Sequence, residues 1–341
     1  MLKLTFLGTS AGVPTRTRNV SALAVHVPMT GPGWYLVDCG EGTQQQLQRA
    51  HLSLHHLAAV CITHVHGDHC YGLPGLLASA GLGQRQRPLH LIAPPPVWQW
   101  LQATQQCTDL HLPYALAFTD IATLREQPLH LATSGPTSLR LSAHPQRHRS
   151  PSHAFRFELQ QRQAKLDAAA LHAIGLPPGP AWRALQSGQS VMHQGRPLHS
   201  RDFVHAHTRH LAAVLGGDNA QPDVLRSACQ SAQLLVHEAT YSQAALQKAG
   251  PNPMHSSAHA AAAFAQSANL PNLILTHFSP RHHSQAEQRL LMQEVRAAYG
   301  GNAFLAQDFD QFTLDFDGGL HRHTRSAQPG TQPTSACAQP R

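Results

Sequence analysis

The stretch His64-Val65-His66-Gly67-Asp68-His69 decides the fold, because it places three imidazoles and one carboxylate within six consecutive residues. The apolar run at residues 58–63 contains β-branched side chains and predicts a buried strand just before it. Ligands at these spacings cannot all point one way from a regular strand or helix, so the motif predicts a loop, in which Gly67 allows a turn. Histidine nitrogen and aspartate oxygen are ligands of open, catalytic zinc sites.

The motif must be tested against chance, because the chain has 27 histidines among its 341 residues. Aspartate is scarce, so we expect His-x-His-x-Asp-His by accident in roughly one such chain in a hundred or fewer. A fortuitous surface cluster is therefore a poor explanation of the motif. Any single histidine elsewhere in the chain is more often structural than a ligand.

The same arrangement, a polar residue of metal-ligand type directly after an apolar strand, recurs twice. Asp218 follows the run at 211–215 through two glycines, and His277 follows the run at 273–276. Strand ends on one rim of an α/β sheet converge on one cleft, so these positions and the motif predict a shared site.

Composition favours a globular protein, with 42% hydrophobic residues, and the net charge of +7 favours a polyanionic partner. Charge alone is weak evidence, since many basic proteins bind nothing acidic. The six cysteines are scattered without a Cys-x-x-Cys pair, which predicts free thiols in a reducing compartment. The chain has no signal-peptide pattern and no apolar run of membrane-spanning length, so we expect a cytoplasmic protein with no membrane partner.

Strands and helices alternate through most of the chain, which predicts an α/β fold in one domain at residues 1–318. Residues from about 160 to 203 differ in character, and the breaker cluster at 175–180 cannot belong to a core helix or strand. We expect this segment to leave the body of the domain. Residues 319–341 are rich in Pro, Gln, Thr, Ser and Ala, and predict a disordered tail.

Several stretches along residues 1–316 make the chain resemble the ribonuclease Z family, the tRNA 3′ endonucleases of the metallo-β-lactamase superfamily. The histidine motif alone supports only the superfamily. The narrower resemblance is carried by Phe6-Leu7-Gly8-Thr9, Arg18-Asn19, Asp38-Cys39-Gly40-Glu41-Gly42-Thr43-Gln44, Pro145-Gln146-Arg147-His148, Pro177-Pro178-Gly179-Pro180, His237-Glu238-Ala239-Thr240, His255-Ser256-Ser257-Ala258 and Thr276-His277-Phe278-Ser279-Pro280-Arg281.

The resemblance implies an αββα sandwich that carries two Zn²⁺ ions at one edge. It assigns His64, His66 and His148 to one zinc, Asp68, His69 and His277 to the other, and Asp218 to both. The resemblance, and not the spacing, selects His148 over His144 and His153. The chain departs from the family pattern at positions near the site, which are Ala154-Phe155, Asn219, Ser257 and His282.

The resemblance also implies how the site works. Asp68 is the proton acceptor as well as a ligand, and His255, supported by Glu238, is our candidate for the general acid. The segment at 160–203 corresponds to a flexible arm that grips tRNA precursors from the partner subunit of a homodimer. The candidate substrate-binding residues are Gly179, Pro180 and Arg281. The arm has few basic side chains for gripping phosphates, which are Arg162, Lys165, Arg183, Arg196 and Arg201.

Two other functions fit part of the pattern. A small-molecule phosphodiesterase or sulfatase-like hydrolase could use the same fold, but it has no need of an arm with a Gly-Pro element. A catalytically dead RNA-binding module has no reason to keep seven metal-ligand residues. The sequence therefore predicts an endonuclease that removes the 3′ trailer from tRNA precursors, leaving a 3′-hydroxyl on the tRNA and a 5′-phosphate on the trailer.

Overall fold

Two β-sheets lie face to face at the centre of the computed structural model, which describes residues 1–250 and 252–323. Numbered in chain order, the strands are Leu2–Gly8 (β1), Ala22–His26 (β2), Trp34–Val37 (β3), Leu57–Cys61 (β4), Leu89–Ala93 (β5), Leu116–Asp120 (β6), Leu129–Ser134 (β7), Thr137–Gln146 (β8), Ser152–Leu166 (β9), Val191–His193 (β10), Arg196–Leu198 (β11), Val204–Leu215 (β12), Leu234–Glu238 (β13), Asn272–Thr276 (β14), Asn302–Leu305 (β15), Gln311–Leu314 (β16) and Leu320–His323 (β17).

The helices mostly connect neighbouring parallel strands, since a parallel pair needs a long crossover. They are Thr43–Arg49 (α1), Gly67–Cys70 (α2), Leu73–Leu82 (α3), Pro95–Thr108 (α4), Ala168–Ala173 (α5), Pro180–Gln186 (α6), Ser200–Phe203 (α7), Gln243–Ala249 (α8), Ala258–Ser267 (α9) and Gln285–Ala298 (α10). Short 3₁₀ turns lie at Pro28–Thr30, Leu54–His56, Ile121–Arg125, Pro222–Leu225 and Pro280–His282.

The strand order is β17-β16-β1-β2-β3-β4-β5-β6 in the first sheet and β15-β14-β13-β12-β9-β8-β7 in the second. Alternation along β1 explains how the layers form. Leu2, Leu4 and Phe6 enter the core between the sheets, whereas Leu7 faces the helices outside. Helices α1, α3 and α4 cover the outer face of the first sheet, and α9 and α10 cover that of the second. The predicted αββα sandwich of the α/β class is confirmed.

Parallel pairing brings the ends of several strands to one edge. Strands β3 to β6 run parallel in the first sheet, and β12 to β15 run parallel in the second. The polar residues singled out in the sequence follow β4, β12 and β14. The topology therefore directs them to a common cleft.

The arm is longer than the sequence indicates. Strands β9 and β12 form one continuous ladder, which runs from the pair Phe155 and Leu215 to the pair Leu166 and Val204. Residues 204–210 therefore belong to the arm and not to the body. The arm, defined from here on as residues 160–210, has a small apolar cluster of its own that includes Leu171 and Leu185. The predicted end at residue 203 is wrong because the exposed half of β12 is polar and has no apolar alternation.

The start of the predicted tail is also wrong. Leu320–His323 forms an edge strand that pairs with β16, and Leu320 is buried in the central core. The turn before it is held by the Asp315 carboxylate, which accepts hydrogen bonds from the backbone N–H groups of Asp317 and Gly319. A single apolar side chain after a glycine turn leaves no period in the sequence, which explains the error. The rest of the predicted tail, residues 324–341, lies outside the described residues.

Within the described ranges, no helix is long and apolar enough to cross a membrane.

Candidate metal centre

The side chains predicted as metal ligands converge at the edge where the parallel strands end. They form two groups, His64, His66, His148 and Asp218 in the first and Asp68, His69 and His277 in the second, each with its ligand atoms within 4.8 Å of one another. We call these seven residues the metal centre. His144 lies in β8 opposite Ala154, and His153 lies in β9 opposite Pro145, and neither histidine belongs to a ligand group. His148 lies in the turn that joins the two strands.

In the first group, three imidazole nitrogens face one point. His66 Nδ1 lies 3.0 Å from His64 Nε2 and 3.1 Å from His148 Nε2. A tetrahedral ion with bonds of 2.0–2.1 Å separates its ligand atoms by about 3.3–3.4 Å. The spacing of these nitrogens is close to that of a preformed metal site.

In the second group, His277 Nε2 lies 3.3 Å from both His69 Nε2 and Asp68 Oδ2. Asp68 Oδ2 is also 3.6 Å from His69 Nε2. The same oxygen accepts a hydrogen bond of 2.8 Å from the backbone N–H of Gly12, which fixes the carboxylate. These atoms also have the spacing of ligands around one ion.

Asp218 joins the two groups. Its Oδ2 lies 3.6 Å from Nε2 of both His64 and His148, and its Oδ1 lies 3.3 Å and 3.2 Å from Nε2 of His69 and His277. Each carboxylate oxygen therefore faces one group. Oδ1 is buried and has no hydrogen-bond partner among the described residues. A buried carboxylate oxygen without a partner is costly, and a cation beside it would remove that cost.

The outward-facing nitrogens of the ligand histidines have partners that fix the tautomer. The Thr63 hydroxyl donates its only proton to Asp38 Oδ2 over 3.0 Å, so it must accept from Nδ1–H of His64, which is 3.0 Å away. Nε2 of His64 is then unprotonated and free to bind a metal. His69 Nδ1 donates directly to Asp38 Oδ2 over 2.7 Å. Such outer partners orient metal-binding imidazoles.

A threonine also links a second carboxylate, Glu238, to a ligand histidine. The Thr240 hydroxyl donates to Glu238 Oε2 over 2.6 Å and accepts from Nδ1–H of His277 over 2.9 Å. His148 Nδ1 donates to the carbonyl of Met254 over 2.8 Å. Both groups of the metal centre therefore present unprotonated nitrogens to the cleft.

The electrostatics of the metal centre also fit a cation. Burial holds the pKa of His64 well below its usual value. Burial also disfavours a charged His69, but the carboxylates of Asp218, Asp68 and Asp38 raise its pKa well above the usual value. The carboxylates around His69 thus favour positive charge at this position, which a bound cation would supply.

His255 lies next to the metal centre but is held by Glu238. His255 Nδ1 is 2.9 Å from Glu238 Oε1, whereas it is 3.8 Å from Asp218 Oδ2, too far for a hydrogen bond. Its Nε2 has no hydrogen-bond partner among the described residues, and the side chain is 17% exposed. Burial lowers the pKa of His255, but Glu238 and Asp218 raise it to about 9. This arrangement suits a proton donor better than a metal ligand.

Glu238 is only 1% exposed and accepts hydrogen bonds from His255, Thr240 and the backbone N–H groups of Asn219 and Ser256. It cannot reach a substrate. Glu238 therefore acts by positioning His255, which is the supporting role that the sequence predicts for it. Asn219, where the family pattern has threonine, still holds the loop after Asp218, because its side chain contacts the backbone of Arg147 and Gln221.

Comparisons with known proteins agree with this architecture. A family model described as a beta-lactamase superfamily domain matches residues 33–170. Ribonuclease Z of Prochlorococcus marinus is 36% identical over 92% of this chain and 98% of its own length. Ribonuclease Z of Marinobacter nauticus is 44% identical over 94% of this chain and 99% of its own length. The chain belongs to the ribonuclease Z family. This confirms the predicted class of activity, a tRNA 3′-processing nuclease.

The crystal structure of human tRNase Z, short form, matches with a TM-score of 0.61 at 24% identity, covering 92% of this chain and 99% of that one. At this identity the match supports the fold alone. The predicted substrate-binding residues lie in two places on the ribonuclease Z fold. Arg281 packs over the Tyr241 ring at 5.7 Å, and Tyr241 lies 6.2 Å from the ring of His255, at the rim of the cleft. Gly179 and Pro180 lie in the arm, where α6 begins.

Sequence reasoning missed the residues behind the ligands, which are Asp38, Thr63 and Thr240. A signal was present for Asp38, because it follows β3 as Asp218 and His277 follow their strands. Asp38 and His277 both have positive φ, at 59° and 58°, which is uncommon for residues other than glycine and is concentrated at functional sites. Thr63 and Thr240 each follow a strand by two residues, and only the fold shows to which carboxylate each hydroxyl donates its proton.

Proposed function

We propose that this member of the ribonuclease Z family is a two-zinc endoribonuclease that removes the 3′ trailer from tRNA precursors. The observation that carries the proposal is the pair of ligand groups joined by the two oxygens of Asp218. His64, His66 and His148 would hold one Zn²⁺, and Asp68, His69 and His277 the other. When bound, the pair supplies Lewis-acid polarisation of a phosphodiester and a water acidic enough to act at neutral pH.

Asp68 is the proposed proton acceptor. Its Oδ2 is held by Gly12 and belongs to the second ligand group, whereas its Oδ1 has no hydrogen bond among the described residues. The carboxylate can therefore act as a ligand through one oxygen and receive a proton from the attacking water through the other. Burial raises the pKa of Asp68, but His69 and His277 lower it to well below its usual value, so the carboxylate is ionised and able to bind a cation.

His255 is the proposed general acid. Glu238 accepts the Nδ1 proton and orients the ring, so Nε2 is the nitrogen that faces the cleft and can donate a proton to the leaving 3′-oxygen. This transfer leaves a 3′-hydroxyl on the tRNA and a 5′-phosphate on the trailer. The pKa of about 9, set mainly by Glu238 against burial, keeps the imidazole protonated at neutral pH.

The arm is the proposed grip for the body of the tRNA, acting from the partner subunit of a homodimer. Its long ladder between β9 and β12, its separate apolar cluster and the net charge of +7 support this role. Gly179, Pro180 and Arg281 stay predicted contacts. We also propose a cytoplasmic location, which is supported by the free thiols of the cysteines in the described residues, Cys39, Cys61, Cys70, Cys107 and Cys229.

The test is cleavage of one end-labelled tRNA precursor by the purified protein, with and without a chelator, with the cut mapped to the nucleotide. We expect a single cut at the start of the trailer, lost with chelator and restored by Zn²⁺. Cleavage that persists without metal, or cuts scattered along the RNA, would refute the proposal.

A further inference from the structure

Tyr71 lies two residues after His69 of the metal centre, and the proposed hydrolysis does not use its ring. It follows directly after α2, the short helix that carries Asp68 and His69. Its side chain is 63% exposed, and it is the only aromatic residue among the described large apolar side chains that are well exposed. An aromatic side chain left in solvent beside an active centre is a candidate binding surface.

The ring of Tyr71 is held in place before any ligand arrives. A Cβ atom on Gly67 would lie 2.1–2.5 Å from Cε2, Cδ2 and Cζ of Tyr71, so the ring packs directly against the backbone at the start of α2. Gly67 is not among the glycines with positive φ, so the motif needs glycine here for this close approach and not for a left-handed turn. This corrects the role that the sequence suggests for Gly67.

Trp100, on α4, supports Tyr71 from another side. The two ring centroids are 5.9 Å apart and the planes are inclined by 43°. Trp100 is half-buried and packs against the apolar cluster under α3 and α4, which anchors it to the body of the domain. A ring fixed on two sides loses little conformational entropy when a ligand stacks on its open face.

We propose that Tyr71, supported by Trp100, stacks against an unpaired nucleobase next to the scissile phosphate. This inference rests on the proposed function, which places that phosphate at the metal centre. Single-stranded RNA is recognised mainly by stacking on aromatic side chains, and stacking tolerates any base because every base has a π face. Such a contact suits an enzyme whose precursors share a cut site but differ in trailer sequence.

The experiment compares Tyr71→Leu, which keeps an apolar side chain but removes the ring, with Tyr71→Phe, which keeps the ring. Each zinc-loaded protein is assayed under single-turnover conditions on three precursors. One is intact, one has an abasic site at the last nucleotide retained in the tRNA, and one has an abasic site at the first trailer nucleotide. Zinc content and Tm are measured for every variant. Leu290→Ala, at an exposed apolar position of α10, is the matched control.

We expect Tyr71→Leu to lower the single-turnover rate at subsaturating protein on the intact precursor by about 5- to 160-fold, the range for loss of one base–aromatic stack. Tyr71→Phe and the Leu290→Ala control should retain it. On one of the two abasic precursors the wild-type protein and Tyr71→Leu should become equal, because the stacked base is already missing. The position of that abasic site identifies the base.

Three results would overturn the stacking role. Tyr71→Leu could leave the intact precursor unaffected, or lose the same factor on all three precursors, which would make the ring a support for the metal loop. It could also change the oligomeric state, which would assign the ring to a subunit interface. A wild-type protein that cleaves no precursor refutes the proposed function instead. In that case 2-aminopurine at either position still tests stacking, because its fluorescence should be quenched on binding by wild-type protein and not by Tyr71→Leu.

Discussion

At the metal centre, single side chains from distant parts of the chain are fixed by buried hydrogen-bond partners. In the arm, backbone hydrogen bonds between two strands provide most of the structure. His64 and His277, for example, are each oriented by a threonine that is itself held by a carboxylate. The arm is held instead by the ladder between β9 and β12 and by a small apolar cluster, and its outer strand residues are largely exposed.

The two regions should therefore respond differently to mutation. In the metal centre, each polar atom makes a specific contact with a ligand or its partner, so a single substitution should have a large effect on metal binding or on the cleavage rate. In the arm, position and reach matter more than any one side chain, so point changes should be mild and removal should affect the substrate more than the chemistry.

Asp218→Ala should have the largest effect, because it removes the one carboxylate that faces both ligand groups. We expect cleavage of a tRNA precursor to fall by far more than about 100-fold, the upper end for residues that only support a ligand. Zinc bound per chain should fall as well. Asp223→Ala, an exposed aspartate on the following turn, is the control and should leave both quantities unchanged. Normal zinc content in Asp218→Ala would remove the residue from the centre.

His255→Gln should retain metal but slow the chemical step. General acid catalysis contributes typically 10²–10⁴-fold, so we expect a loss in this range in the single-turnover rate. The matched control is His259→Gln, an exposed histidine on the adjoining helix α9. An unchanged single-turnover rate in His255→Gln would exclude the residue as proton donor, and a loss of zinc would make it a ligand.

Thr240→Val should weaken metal binding, because it removes the hydroxyl that donates to Glu238 and accepts from His277 Nδ1. The tautomer of His277 is then no longer fixed. Loss of such an outer partner typically costs 10–100-fold in metal affinity or activity. Competition with a fluorescent chelator measures the affinity. Thr240→Ser keeps the hydroxyl and should stay near the wild-type value. If serine and valine behave alike, the hydroxyl proton does not set the tautomer.

Replacing residues 161–209 by an Asn-Gly turn should test the arm without disturbing the centre. The turn joins Gln160 to His210, which are partners in the β9–β12 ladder. We expect KM for a tRNA precursor to rise at least about tenfold, equivalent to about 1.4 kcal/mol of lost binding. The rise in KM for a small phosphodiester should be far smaller. Equal effects on both substrates would mean that the arm supports the active site and does not bind tRNA.

The same contrast explains which parts of the fold and of the metal centre the sequence predicts. The motif at His64–His69 is local, and Asp218 and His277 follow from the rule that polar residues after parallel strands meet at one edge. His148 could not be chosen over His144 and His153 from spacing, because only the pairing of β8 with β9 shows which histidine occupies the turn. That choice came from the family resemblance.

The errors lie where the backbone, and not the side chains, carries the structure. The outer half of β12 and the strand Leu320–His323 are polar segments that pair with a neighbour but have little apolar alternation. Hydrophobic period is the main sequence signal for a strand, so the sequence alone does not predict either pairing. The contact of Gly67 with Tyr71 is likewise a packing contact that no local pattern predicts.

The central claim is that the seven residues of the metal centre hold two cations through the two oxygens of Asp218. The most direct measurement is X-ray diffraction from crystals of the zinc-loaded protein, with data collected on both sides of the zinc absorption edge. The account predicts two anomalous peaks per chain, one against His64, His66 and His148 and the other against Asp68, His69 and His277, each next to a different oxygen of Asp218. A single peak, or peaks away from Asp218, would contradict it.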